Sequence, residues 1–371
     1  MTKASGCPDY SAFTDSIHIP FTSKDEAGKT PAIAVKVNGI EIDHPGLDTG
    51  STIFALSEEY VPAFAEVENP ETLKSGFVEY TGGVKWTGRW LKVSVEFEGT
   101  GEGGIGKVTA KSEIDVLVVT EQFYRDKPVE KEDYEPVHYM GIGFGHVIDA
   151  ESPYTPDKNA VLAISHYNGK PVNKATFRPG YILRSRSIEI GITAKNTEDF
   201  KCTKLTNIQS PGIPWYWDRV NFALHIKDHT GKDNGWMPGT ALLDTGLTKM
   251  DIGSPHYVDN PDVPEKEKPG PLEIAMRFPC EQTDLPEYSF SWPGKGEAWL
   301  PSRIEYHVNY GKGAFANTGQ NFYNKFDAMF DAKEGYWGIR ESKPELRIYT
   351  KTLSIRHCPE GDYHVYYSRS T

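Results

Sequence analysis

Asp48 and Asp244 each sit in a Leu-Asp-Thr-Gly tetrapeptide, 196 positions apart in a chain of 371 residues. One Asp-Thr-Gly carries little information, because a chain of this length contains one by chance about one time in ten. Two copies, each between strand-like segments, suggest a pair. Carboxylates in hydrogen-bonding contact cannot both ionise without a large energetic cost, so such a pair holds one proton over a wide acid range. One carboxylate can then take a proton from a bound water while the other donates one. Gly50 and Gly246 permit tight turns behind the aspartates, and the Thr49 and Thr245 hydroxyls can hydrogen-bond from loop to loop. The copies differ after the glycine. Ser51 follows the first, with a hydroxyl to orient Asp48, whereas Leu247-Thr248 follows the second. With one fewer donor to its anion, Asp244 is expected to keep its proton to higher pH.

The elements around these loops read as strands. Residues 17–21, 32–37, 90–97, 114–119 and 187–192 alternate, and Asn38-Gly39 is a hairpin turn pair. A content of 20 Tyr, 17 Phe, 35 Gly and 26 Pro fits a mostly all-β chain with many turns. Two helices are expected, over 158–166 and over 320–330, the latter with Phe322, Phe326, Met329 and Phe330 at helical spacing. The Pro- and charge-rich tract 255–271 reads as a surface loop. The halves share an order of events, which points to an N-terminal unit over 1–180 and a C-terminal unit over 181–371.

Further segments resemble the pepsin-like aspartic proteases, in order along most of the chain. Asp48-Thr49-Gly50-Ser51-Thr52 looks like the first catalytic loop. Tyr80 to Gly88 (YTGGVKWTG) looks like the flap hairpin, and Gly141-Ile142-Gly143-Phe144-Gly145 like the glycine segment beneath that loop. Residues 216–226 resemble the strand opening the second lobe, Asp244-Thr245-Gly246 the second loop, and residues 319–339 (including Phe330-Asp331) the closing helix and strand. The resemblance implies a bilobal β-barrel fold with a cleft between lobes and few short helices. It makes Asp48 and Asp244 the catalytic pair, supported by Thr49, Gly50, Ser51, Thr245, Gly246, Leu247 and Thr248. Tyr80, with Gly82 and Gly83, would form a mobile flap. The chain departs from the family at Leu247, at His44-Pro45-Gly46, in a tail over 341–371 with an alternating stretch at 347–355, and in lacking a recognisable basic pro-segment. Three readings follow: a peptide-cleaving hydrolase, the same dyad doing acid/base chemistry on a small biosynthetic intermediate, or a binding protein that no longer cleaves.

A net charge of −12 and a pI near 5.5 argue against nucleic acid and anionic membrane surfaces as partners. A peptide or small molecule in the interlobe cleft is the expected ligand, and a monomer the expected state. No cofactor or metal is expected. Cys7, Cys202, Cys280 and Cys358 are scattered and leave three pairings open. Gly101 to Lys107 fits the start of a P-loop, but Val108 stands where Ser or Thr should hold magnesium and strand residues follow, so a glycine hairpin tip is expected. His225 and His229 fall on and after a strand and read as exposed histidines, while Trp215, Tyr216 and Trp217 read as core and lobe-interface packing. Residues 1–7 lack an apolar run, no stretch approaches ~18 apolar residues, and no Asn-x-Ser/Thr sequon occurs, which leans toward an intracellular protein unless the chain is a processed, mature form.

Overall fold

The computed structural model describes residues 6–22, 30–80, 82–144, 158–208, 216–227, 233–254, 272–278, 286–294, 296–308 and 313–342. The expected tract 255–271, the tail beyond 342, Gly145, Trp215, His229, Cys280 and Cys358 lie outside them.

Alternating apolar residues build the longest element. Strands Val84–Thr100 and Lys107–Tyr124 pair antiparallel from Val84–Tyr124 to Thr100–Lys107, with one bulge at Thr87/Gly88. Their inward faces bury Val93, Val95, Phe97, Val116 and Val118. At the tip, Gly103, Gly104 and Gly106 take φ of 71°, 77° and 72° around a 3-10 turn, the hairpin tip that the P-loop-like run was expected to be. Asn38 and Gly39, at φ 49° and 81°, close the expected two-residue hairpin between Val35–Val37 and Ile40–Ile42.

The strands form two hydrogen-bonded systems, one of seventeen strands and one of seven, and all described helices are short 3-10 turns. The all-β expectation is therefore met. Within the larger system six strands make an antiparallel platform, in the order Ile17–Pro20, Ser187–Ile190, Gly180–Leu183, Phe326–Asp331, Tyr336–Glu341 and Lys201–Lys204. The smaller system holds strands from Val220–Lys227 to Ala314–Asn317, including Met237–Leu242. A Cys7–Cys202 disulfide anchors the N-terminal segment to the platform and decides the pairing for these two cysteines. Trp217 is core, its Nε1 donating to the Ala332 carbonyl at 2.7 Å.

Both expected helices are corrected. Residues 320–330 divide into a 3-10 turn, Gln320–Asn324, and the strand Phe326–Asp331. All six strand residues are buried, and a strand covered on both faces shows no alternation to set it apart from a helix. Residues 158–163 are turn, followed by the strand Ile164–Tyr167. Here Asn159 accepts from the Val161 N–H at 3.0 Å and donates to the Gly143 carbonyl at 3.2 Å, giving the backbone a side-chain partner in place of a helical one.

Candidate active site

Each aspartate leaves the end of a strand held in parallel register by a second strand. Gly46–Asp48 pairs with His138–Gly141, with Tyr139 opposite Gly46. Met237–Leu242 pairs with Ala314–Asn317, with Asn317 opposite Leu242. Gly46 and Leu242 both lie two residues before an aspartate, so Tyr139 and Asn317 occupy matching places in the two halves. The glycine segment runs under the first loop: Gly141, Ile142 and Gly143 donate to the carbonyls of Ile53, Asp48 and Ser51 at 2.8, 2.7 and 2.6 Å.

The two loops are cross-braced by their threonines. Thr49 N–H donates to Thr245 Oγ1 at 3.0 Å, and Thr245 N–H to Thr49 Oγ1 at 2.9 Å. The hydroxyls continue across, Thr245 to the Leu47 carbonyl at 2.6 Å and Thr49 to the Leu243 carbonyl. Four buried donors are thereby satisfied with near two-fold symmetry. The glycines are required by closeness. A Cβ on Gly50 would stand 2.7 Å from the Asp244 carboxyl atoms, and one on Gly246 would stand 2.6 Å from Asp48 Oδ1 and 2.5 Å from the Tyr139 hydroxyl.

Asp48 and Asp244 are 3% and 9% exposed, and their carboxyls lie close enough to interact directly. Gly50 N–H donates to Asp48 Oδ1 at 2.6 Å, and Gly246 N–H to Asp244 Oδ1 at 2.7 Å. Burial first, then the neighbouring Asp244 charge and the interaction with its carboxyl, hold Asp48 well above the usual carboxylate range; Ser51 and Gly50 pull it back only in part. The Ser51 hydroxyl is buried without a hydrogen bond of normal length, although it lies near enough to Asp48 to act on it. The expectation that Asp244 has one fewer donor to its anion is corrected. Asp244 does not lack a donor: Asn317 Nδ2 reaches its Oδ2 at 2.7 Å, a role no local pattern assigned. Leu247 is half-buried and contributes its carbonyl to Gln320 N–H at 2.8 Å, and Thr248 is exposed, its carbonyl accepting from Ser302 at 2.7 Å.

Tyr80 lies at the end of the hairpin formed by Ser75–Glu79 and Val84–Thr100. Gly83, at φ 85°, donates to its carbonyl at 2.8 Å; Gly82 sits beside it in the turn. The Tyr80 ring packs edge-on against Trp86 and Tyr139, with centroids 5.2 and 5.7 Å away, and Trp86 meets Tyr139 at 5.9 Å. This aromatic group continues to the dyad, because the Tyr139 phenol is within hydrogen-bonding reach of Asp48. Burial, then the Asp48 charge, raise its pKa above the usual phenol range. His44, at φ 62°, is exposed and bonds Thr22 Oγ1 at 2.7 Å, so the His44-Pro45 departure bends the entry to the strand rather than reaching the aspartates.

Among the described residues no group of three or more His, Cys, Asp or Glu is set to hold a metal ion. His225 pairs with Asp233 at 2.7 Å and stacks on Trp236. A cavity walled by Thr49, Phe144, Leu243 and Phe330 has neither aspartate in its lining.

No protein-family model matches the sequence, and no curated protein matches it. Among solved structures, the chain is similar to an aspartic proteinase from Irpex lacteus, at a TM-score of 0.48 and 13% identity, over 88% of this chain and 98% of that one.

Proposed function

We propose that the protein is an aspartic-type hydrolase of pepsin-like design, in which the Asp48–Asp244 pair activates a water against a peptide bond. The observation that carries this reading is the threonine-braced meeting of two Asp-Thr-Gly loops, which brings two buried carboxyls together. Buried carboxyls this close are stable only when they share a proton, and a shared proton is what the chemistry needs. One carboxylate takes a proton from the water as its oxygen attacks the carbonyl carbon. The other gives its proton to the carbonyl oxygen, leaving a tetrahedral diol that collapses with loss of the amine. The Tyr80 hairpin would exclude bulk water from this step.

The test is cleavage of denatured haemoglobin or casein from about pH 3 to 7, with and without pepstatin, on the wild type and on Asp48→Asn and Asp244→Asn. Pepstatin-sensitive cleavage that falls by at least about a hundredfold in either folded variant is expected. No cleavage at any pH, with no pepstatin binding, sinks the reading.

A second reading uses the same pair as acid and base on a compact small molecule. The Tyr139 phenol, close to Gly246 and beside Asp48, favours it by setting a bulky polar side chain against the pair. Under that reading Tyr139→Ala would admit peptide substrates that the wild type refuses. Equal peptide cleavage by both proteins counts against it.

A further inference from the structure

The site is more symmetric in topology than in chemistry. Tyr139 and Asn317 hold matching register positions, opposite Gly46 and Leu242, yet one presents a phenol and the other a primary amide. The amide's orientation is fixed from behind: Gly319 N–H donates to Asn317 Oδ1 at 3.1 Å, so Nδ2 is the atom that faces Asp244 Oδ2, at 2.7 Å. An amide nitrogen can only donate, and a donor favours the anion of its carboxyl partner. Asp244 therefore receives two fixed donors, Gly246 N–H on one oxygen and Asn317 Nδ2 on the other. Asp48 receives one fixed donor, Gly50 N–H; its other neighbours, Ser51 and Tyr139, are hydroxyls, which can accept as well as donate.

We propose that Asn317 and Tyr139 polarise the dyad: the Asn317 amide keeps the negative charge on Asp244, and the Tyr139 hydroxyl accommodates the protonated Asp48. Asp48 is then the proton donor and Asp244 the base toward water. Asn317 acts through Asp244 as a positioning residue. The other titratable groups facing the pair are phenols. Tyr80 reaches it through Tyr139, while Tyr181 and Tyr323 donate elsewhere, to the carbonyls of Ile142 at 2.5 Å and Leu243 at 2.9 Å. The assignment deepens the hydrolase reading but does not need a substrate to be tested.

Two reagents distinguish the carboxyls by protonation. A carboxylate oxygen opens an aryl epoxide, forming an ester while the released alkoxide takes a proton from water. A diazoacetyl ester with Cu(II) esterifies a protonated carboxyl, which gives up its proton as dinitrogen leaves. In the wild-type protein at about pH 5, peptide mapping is expected to find the epoxide on Asp244 and the diazo ester on Asp48. Asn317→Leu is expected to lower the epoxide's preference for Asp244 about tenfold, the equivalent of one pKa unit, and Asn317→Ser, which keeps a donor, to restore part of it.

Carbon-13 carboxyl NMR across the same pH range, with signals assigned by their loss in Asp48→Asn and Asp244→Asn, reads the same order without reagent access. The expected result is that the Asp48 signal moves at the higher pH. The reverse order, or an unchanged preference in Asn317→Leu, overturns the proposal. Expected labelling by a protein that cuts no peptide would count against the peptidase reading only, and reversed labelling by an active peptidase against this assignment only.

Discussion

At the scale of single residues, Asp48 carries the clearest energetic signature. The native state holds its carboxyl protonated at pH values where the unfolded chain, with an ordinary aspartate near ~3.9, has lost the proton. More protons bind to the native state, so the stability this group contributes is complete below the unfolded pKa and is lost as pH rises toward the native one. Asp48→Asn removes the ionisation. Its denaturant midpoint is expected to match or fall below that of the wild type at about pH 3 and to exceed it at about pH 7. Equal midpoints across that range would mean that Asp48 ionises in the fold as it does in the unfolded chain.

At the scale of elements, the two loops form one unit. Thr49→Ala removes the acceptor of the Thr245 N–H and a donor to Leu243, and Thr245→Ala does the reciprocal. Each is expected to cost about 1–3 kcal/mol. The double variant should cost less than the two together, because each single change already strands a partner of the other. Additive losses in urea unfolding would contradict the bracing. The bracing was legible in the sequence, since both threonines stand in a repeated motif. Tyr139 and Asn317 were not, because they reach the aspartates through parallel register with strands distant in the chain, and register leaves no local pattern. The strand at 326–331 was read as helix for a related reason: burial on both faces erases the alternation by which a strand is known. Leu247 misled because a missing hydroxyl is visible in sequence, whereas its replacement by a donor from another strand is not.

At the scale of the molecule, the platform is held by buried charge as well as by strand pairing. Arg178 grips Asp331 with two hydrogen bonds of 3.0 and 2.7 Å, and Tyr10 adds a third at 3.0 Å, with the Asp331 side chain fully buried. Removing Asp331 leaves the buried Arg178 with only the half-exposed Glu334, 3.2 Å away, as an ion-pair partner, so Asp331→Ala is expected to destabilise by about 3 kcal/mol, read from the shift in chemical unfolding. A loss under about 1 kcal/mol would show Glu334 and water compensating Arg178. The strand order of the same platform has a consequence for how the chain is made. Its strand at 180–183 is flanked on one side by 187–190 and on the other by 326–331, which in turn leans on 336–341. A growing chain emerging from the ribosome can pair 17–20 with 187–190 early, but the middle of the platform keeps an open edge until nearly the last described residues are synthesised. Completion of the platform is thus tied to the synthesis of residues 326–341, and a chain stalled before residue 326 would present that bare edge to whatever strand it meets first.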